Sequence, residues 1–290
     1  MNWAKVKNIL IIIFLILNGI LGYMNYQKRV AAYTLTKEQE TTIKKLLYEN
    51  NIMVYTLLPG KYPPMRKLLL TPKSMDGEEQ TKFFKTIFED HENIAVSTIT
   101  SEQGEKQTVY SRGNEKVGFS TGHIFYRADL SSEKDIIFTK EQSKKAADAF
   151  LEKLGYTLSK LQWHFKEENG SYKFTYYETY NGELVYNSYV DFLITSKGIE
   201  KVDIYKMKPV KYTELSRSIY APDEILFGFM NQMKKSQGFK EILVIQNIDL
   251  GYFIESEYPW RKEGEGIPYY RITLADGRNF YINAYTNQMR

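Results

Sequence analysis

Ile9 to Tyr26, ILIIIFLILNGILGYMNY, carries no charge over 18 residues. At a helical rise of ~1.5 Å per residue it reaches roughly 27 Å, about the thickness of a bilayer hydrocarbon core. A cleaved signal peptide has a shorter apolar core followed by small residues. Here the apolar run is long and Lys28 and Arg29 follow it, so Val30-Ala31-Ala32 lies on the wrong side of the charges for a cleavage site. A buried core helix is usually shorter or amphipathic. The stretch therefore reads as an uncleaved transmembrane anchor, with the soluble cargo behind it.

The flanks agree. Trp3 at one end and Tyr23 and Tyr26 at the other suit the interfacial aromatic belts. Lys5 and Lys7 precede the helix, and Lys28 and Arg29 follow it. These charges nearly balance, so they orient the helix weakly. The short tail, 1–8, favours a cytoplasmic N-terminus and an extracytoplasmic C-terminal part. The absence of cysteine fits an exported domain that avoids stray disulfides, though many cytosolic proteins share it.

The net charge of +4 comes from the membrane flanks: residues 31–290 hold 35 basic and 35 acidic residues. No overall field draws the soluble part to nucleic acid, and no nucleic-acid partner is expected. Some 260 residues suffice for two domains of ordinary size. Aromatics are 15%, with 24 tyrosines. Half-buried strands account for that count, and an aromatic ligand platform is the sharper alternative.

Patterning predicts an α+β fold: one N-terminal transmembrane helix followed by two helix-plus-antiparallel-sheet domains. The anchor covers 9–26 and a juxtamembrane linker 27–35. Domain 1 covers 36–130 and domain 2 covers 136–290, with a polar linker near 128–138. Thr36-Lys37-Glu38-Gln39 and Thr139-Lys140-Glu141-Gln142 each read as a capping box, opening helices to about 49 and 154. Either duplicated units or a shared helix start explains the echo. Further helices are expected over about 76–88 and 222–236. Strands are expected at 53–58, 66–71, 94–99, 108–111, 116–120 and 123–127 in domain 1. Domain 2 should hold strands at 160–167, 171–180, 184–195, 199–207, 269–274 and 279–285. Asn181-Gly182 and Asp276-Gly277 are two-residue hairpin signals. Arg261-Lys262-Glu263-Gly264-Glu265-Gly266 reads as a solvated loop and lacks the ligand pattern of a calcium site.

No Walker loop, GxSxG elbow or HExxH helix is present, and no thiol is available. His91, His123 and His164 stand apart in sequence, and His164 suits a structural place in a strand. No catalytic residue, cofactor or metal is expected. An anchored hydrolase lacks its nucleophile and base; a protease inhibitor would need a protease partner. The anchor is more informative. Asn18 lies near its centre, Gly22 and Leu15 share its face, and Gly19 adjoins it. A central Asn is costly in hydrocarbon unless paired, and small residues let helices approach. The stripe predicts a helix–helix contact; a tolerated polar residue is the alternative.

The opening Met1-Asn2-Trp3-Ala4-Lys5-Val6-Lys7-Asn8-Ile9, with Phe14-Leu15-Ile16-Leu17-Asn18, resembles the start of the YycI family. That family supplies the small partner in the YycH/YycI pair of Gram-positive bacteria. Tyr270–Gly277 and Tyr281–Asn287 resemble a PepSY-type hairpin, with Asn283 and Asn287 where such hairpins carry Asp and Gly. The resemblance implies a protein of the cell membrane whose soluble domains lie outside. It implies association with a YycH-like protein and with the sensor histidine kinase (WalK/YycG) of a cell-wall two-component system. The implied role is modulation of that kinase, and it brings no catalytic residues. A binding module for a cell-wall fragment or peptide is the alternative function.

Overall fold

The computed structural model describes residues 3–88, 93–100, 104, 106–134, 139–237, 241–256 and 258–290. His91, Glu257 and the side chain of Lys5 lie outside the described residues. Five α-helices are present among them: α1 (Trp3–Ala32), α2 (Lys37–Tyr48), α3 (Gly77–Ile87), α4 (Lys140–Lys153) and α5 (Pro222–Gln237). The first six strands are β1 (Ile52–Val54), β2 (Met65–Pro72), β3 (Ala95–Thr100), β4 (Lys106–Arg112), β5 (Glu115–Ser120) and β6 (His123–Ala128). Next come β7 (Leu161–Glu168), β8 (Ser171–Tyr180), β9 (Glu183–Thr195) and β10 (Gly198–Tyr205). The last four are β11 (Met207–Arg217), β12 (Leu243–Phe253), β13 (Gly264–Leu274) and β14 (Asn279–Asn283).

The fold is α+β, with an antiparallel-dominated sheet. Both expected capping boxes form: the Thr36 side chain accepts from the Gln39 backbone, and Thr139 from Gln142. A third box, Asp76 with Glu79, opens α3. The repeated device is thus a common way to satisfy orphan N–H groups at a helix start. Asn181 and Gly182 both adopt positive φ in the turn between β8 and β9, as the hairpin signal requires. The C-terminal hairpin forms too, closed around Asp276 and Gly277, with Tyr269 to Thr273 paired to Asn283 to Asn279.

Several elements differ from expectation. The first helix continues to Ala32, because 27–32 holds no Gly or Pro to stop it. The linker shrinks to Tyr33–Leu35, where Thr34 bridges Lys61. Strands β11 and β12 were not expected. Gly264 to Gly266, read as loop, pair with Leu70 to Leu68 of β2. Glu265 ion-pairs with Lys67 at 2.6 Å. Two parallel contacts, β1 with β12 and β12 with β9, interrupt the antiparallel pattern.

Two large hydrophobic cores are present among the described residues. One core draws on Ile43 to Leu70 and Met207 to Tyr285, with Val185 between. The other draws on Phe83 to Ile204. The lobe built from 73–205 is therefore inserted into a lobe built from both flanking segments. Strand β6 pairs with β10 across the expected boundary, and β2 joins β11 to β13. A seam cluster of Tyr177, Leu184, Tyr186 and Tyr269 lies where the lobes meet. The buried core starts at Ile43, so the soluble body owes none of it to α1.

Candidate functional site

The structure presents two surfaces of interest. The first is α1. Its apolar span Val6–Ala32 is long enough to cross a membrane, and its apolar window is 0% buried. Thirty residues reach ~45 Å, enough to carry Lys28 and Arg29 into a headgroup layer. Trp3, Tyr23 and Tyr26 are exposed along the same helix as Lys7. Asn18 donates through Nδ2 to the Phe14 carbonyl at 2.8 Å, satisfying one donor within its own helix. A Cβ at Gly19 or Gly22 would meet nothing within 4 Å, so the stripe is open. Leu15 is exposed beside it.

The second surface is the open face of the inserted lobe's sheet. Alternation sends Phe174, Phe192, Val202 and Val117 into the core. The residues between them stand on the other face. Cross-strand register sets Tyr177 opposite Tyr189, Tyr189 opposite Tyr205, and Tyr205 opposite His123. The next row holds Thr175, Asp191, Asp203 and Phe125. The His123 and Tyr205 rings stack at 4.4 Å, and Tyr205 reaches Trp260 at 4.5 Å. Trp260 arrives from the other lobe. Gly122, at φ +65°, permits this: a Cβ there would lie 2.5 Å from the Trp260 carbonyl oxygen.

Polar groups on this face are tightly partnered. Arg127 Nη2 lies 2.7 Å from Asp203 Oδ1, and His123 Nε2 lies 3.0 Å from the same oxygen. Burial alone would raise the Asp203 pKa, but the His123 and Arg127 hydrogen bonds and the Arg127 charge hold it below the usual carboxylate value. Asp191, directly opposite, goes the other way: burial raises its pKa against the help of Thr175 and Lys173. Burial also pushes the Tyr205 hydroxyl up to about 12, aided by Asp203 and Asp191.

Between the lobes lies a cleft of about 330 Å³. Its walls include Tyr189, Trp260, Phe253 and Tyr281, with Asp191 and Asn279 among its polar groups. Beside it, Arg271 is 1% exposed and donates to Asp249 Oδ2 at 2.7 Å and to His164 Nε2 at 2.6 Å. A guanidinium cannot accept, so His164 Nε2 carries no proton. Burial and the Arg271 charge push the His164 pKa down, outweighing Asp249. A histidine with a lowered folded pKa contributes stability above its unfolded value, ~6.5, that is lost as pH falls toward the folded value. Urea midpoints are expected to drop between pH 7 and pH 5, and His164→Gln should flatten that drop. An equal slope in both proteins would assign the effect elsewhere.

The expected anchor residues thus share one helix, whereas the open face was not anticipated. A signal for it does exist. Tyr189-Val190-Asp191 and Asp203-Ile204-Tyr205 are mirrored period-2 patterns around the Lys197-Gly198 turn. Arg271 and Asp249 carry no such local sign.

The model of the family described as YycI protein matches residues 31–285. No curated protein matches the chain. Among solved structures, an uncharacterized protein from Eubacterium rectale is similar at 11% identity. That match has a TM-score of 0.57 and covers 82% of this chain and 90% of the other. The likeness concerns the fold. The Bacillus megaterium YpeB C-terminal domain also matches, at 10% identity and a TM-score of 0.41, over 75% of this chain and 98% of that one.

Proposed function

The chain belongs to the YycI family, and on that premise we propose that it is a membrane-anchored regulator of the sensor histidine kinase in the YycFG two-component system. The family is regulatory and non-enzymatic, with its role in that system. The proposal adds that α1 packs beside transmembrane helices of the kinase and of a YycH-like partner. The tail before the anchor lies in the cytoplasm, and the two lobes lie outside.

One observation carries the mode of action: the apolar window of α1 is wholly unburied while the core behind it is complete. A helix needed only as a tether has no use for the open stripe of Leu15, Asn18, Gly19 and Gly22. The stripe lets a second backbone approach closely, and the Asn18 Oδ1 offers it an acceptor. Regulation then requires a contact that differs between two kinase states, by ~1–3 kcal/mol.

Asn18→Leu combined with Gly22→Leu is expected to cut recovery of the kinase from gently solubilised membranes. The loss should be about three- to thirtyfold, given bonds of ~0.6–2 kcal/mol. The lobes should keep their melting curve. Unchanged co-purification together with unchanged kinase output would remove this helix face from the mechanism.

A further inference from the structure

We propose that the cleft between the lobes is a binding site for a neutral saccharide. Its volume, about 330 Å³, lies at the lower end of the range for small-ligand sites. Aromatic rings of Tyr189, Trp260, Phe253 and Tyr281 share the walls with Asp191 and Asn279. A ligand matched to such walls is apolar on its faces and polar around its edge. A sugar ring has that character. Its C–H face suits the negative face of an aromatic ring, and its hydroxyls both donate and accept.

Charge narrows the class. Lys173 Nζ stands 3.6 Å from Asp191 Oδ2, so the cleft neutralises its own ionic groups. An anion would compete with Asp191 for Lys173, and a cation with Lys173 for Asp191. A neutral ligand leaves the pair intact and uses the remaining lone pairs of the carboxylate.

Tyr186 adds a further aromatic ring to the wall, backed by the Arg271 guanidinium 4.8 Å from its ring centre. The walls are also held in place. Asn187 Oδ1 accepts from the Ile254 backbone at 2.6 Å, tying β9 to the segment after β12. The Gly122 turn seats the Trp260 backbone. Aromatic contacts of 4.9 Å between Phe253 and Tyr281 and 4.8 Å between Tyr189 and Tyr205 fix both sides. A preformed site loses little in ordering its own side chains when it binds.

Isothermal titration of the full-length protein in nanodiscs tests this, with chitotriose, maltotriose, cellotriose and an end-blocked, uncharged tripeptide as probes. Saturable binding of at least one of the saccharides is expected. Trp260→Ala and, separately, Asp191→Asn should weaken it about tenfold or more. Circular dichroism confirms that each variant is folded, and Trp260→Phe should retain most of the affinity. Binding that Trp260→Ala and Asp191→Asn both leave unchanged would place the sugar elsewhere and overturn the assignment. So would the lack of any saturable response, or a response only to an uncharged tripeptide. No kinase is present in this experiment, so its outcome is separate from that of the co-purification.

Discussion

Arg271→Ala is expected to lower the unfolding free energy by about 3–5 kcal/mol, the cost of breaking a buried ion pair from one side. Arg271 is 1% exposed in the C-terminal half of β13. Register places it directly opposite Asp249 of β12. Its guanidinium also lies 4.3 Å from the Tyr177 ring centre and 4.8 Å from that of Tyr186. Truncation leaves Asp249, 14% exposed in its side chain, with the Asn247 amide at 2.9 Å as its hydrogen-bond donor. It also removes the donor that holds His164 and the cation sandwiched by two tyrosines. The change therefore loosens β7 and β8 from β12 and β13, which belong to different lobes.

A second variant separates the pair from its surroundings. Arg271→Met with Asp249→Leu removes both charges and keeps apolar bulk, so it should recover most of the loss. Urea denaturation of residues 33–290 measures both, since that segment holds the complete core. A loss under about 1 kcal/mol for Arg271→Ala would mean that solvent already reaches the pair.

Phe229→Ala is expected to cost about 3–5 kcal/mol, combining lost burial with a residual cavity. Phe229 is 0% exposed on α5, and its ring meets Phe280 edge-on at 5.3 Å. It sits in the core made from both flanking segments of the chain. That placement makes the readout informative. In residues 33–290 the two tryptophans are Trp163 and Trp260. Trp163 belongs to β7 of the inserted lobe. In a Trp260→Phe background, Trp163 fluorescence should still register the Phe229→Ala shift, because β9 connects the lobes through β8, β10 and β12. A Trp163 transition left in place, while circular dichroism shows a second, earlier one, would show that the lobes unfold separately.

The nesting of the lobes also explains why the cleft lies where it does. A lobe inserted by two crossings of the chain meets its host along a seam. There, side chains from β8, β9, β12 and β14 converge with Trp260. The anchor enters the host lobe through Tyr33–Leu35, so the segment joined to the membrane helix is also the segment that closes the host core.

Local chemistry in the sequence by itself determined the anchor, the capped helices and the hairpins. An uncharged run of 18 residues, a Thr-x-x-Gln box and an Asn-Gly turn each act over a few residues, so each is legible without a partner. Strands β11 and β12 were not legible for opposite reasons. The first is an exposed edge of mixed polarity with Lys208, Pro209 and Lys211. The second is a central strand, LVIQNIDLGYF, flanked by no turn dipeptide. Only the tertiary structure decided that residues 73–205 are inserted, that Asp249, Arg271 and His164 meet, and that a cleft opens beside them. Those contacts join positions as far apart as 107 residues. Pairing at that range is selected by burial of whole sheet faces and by loop closure, and no short stretch of sequence records either.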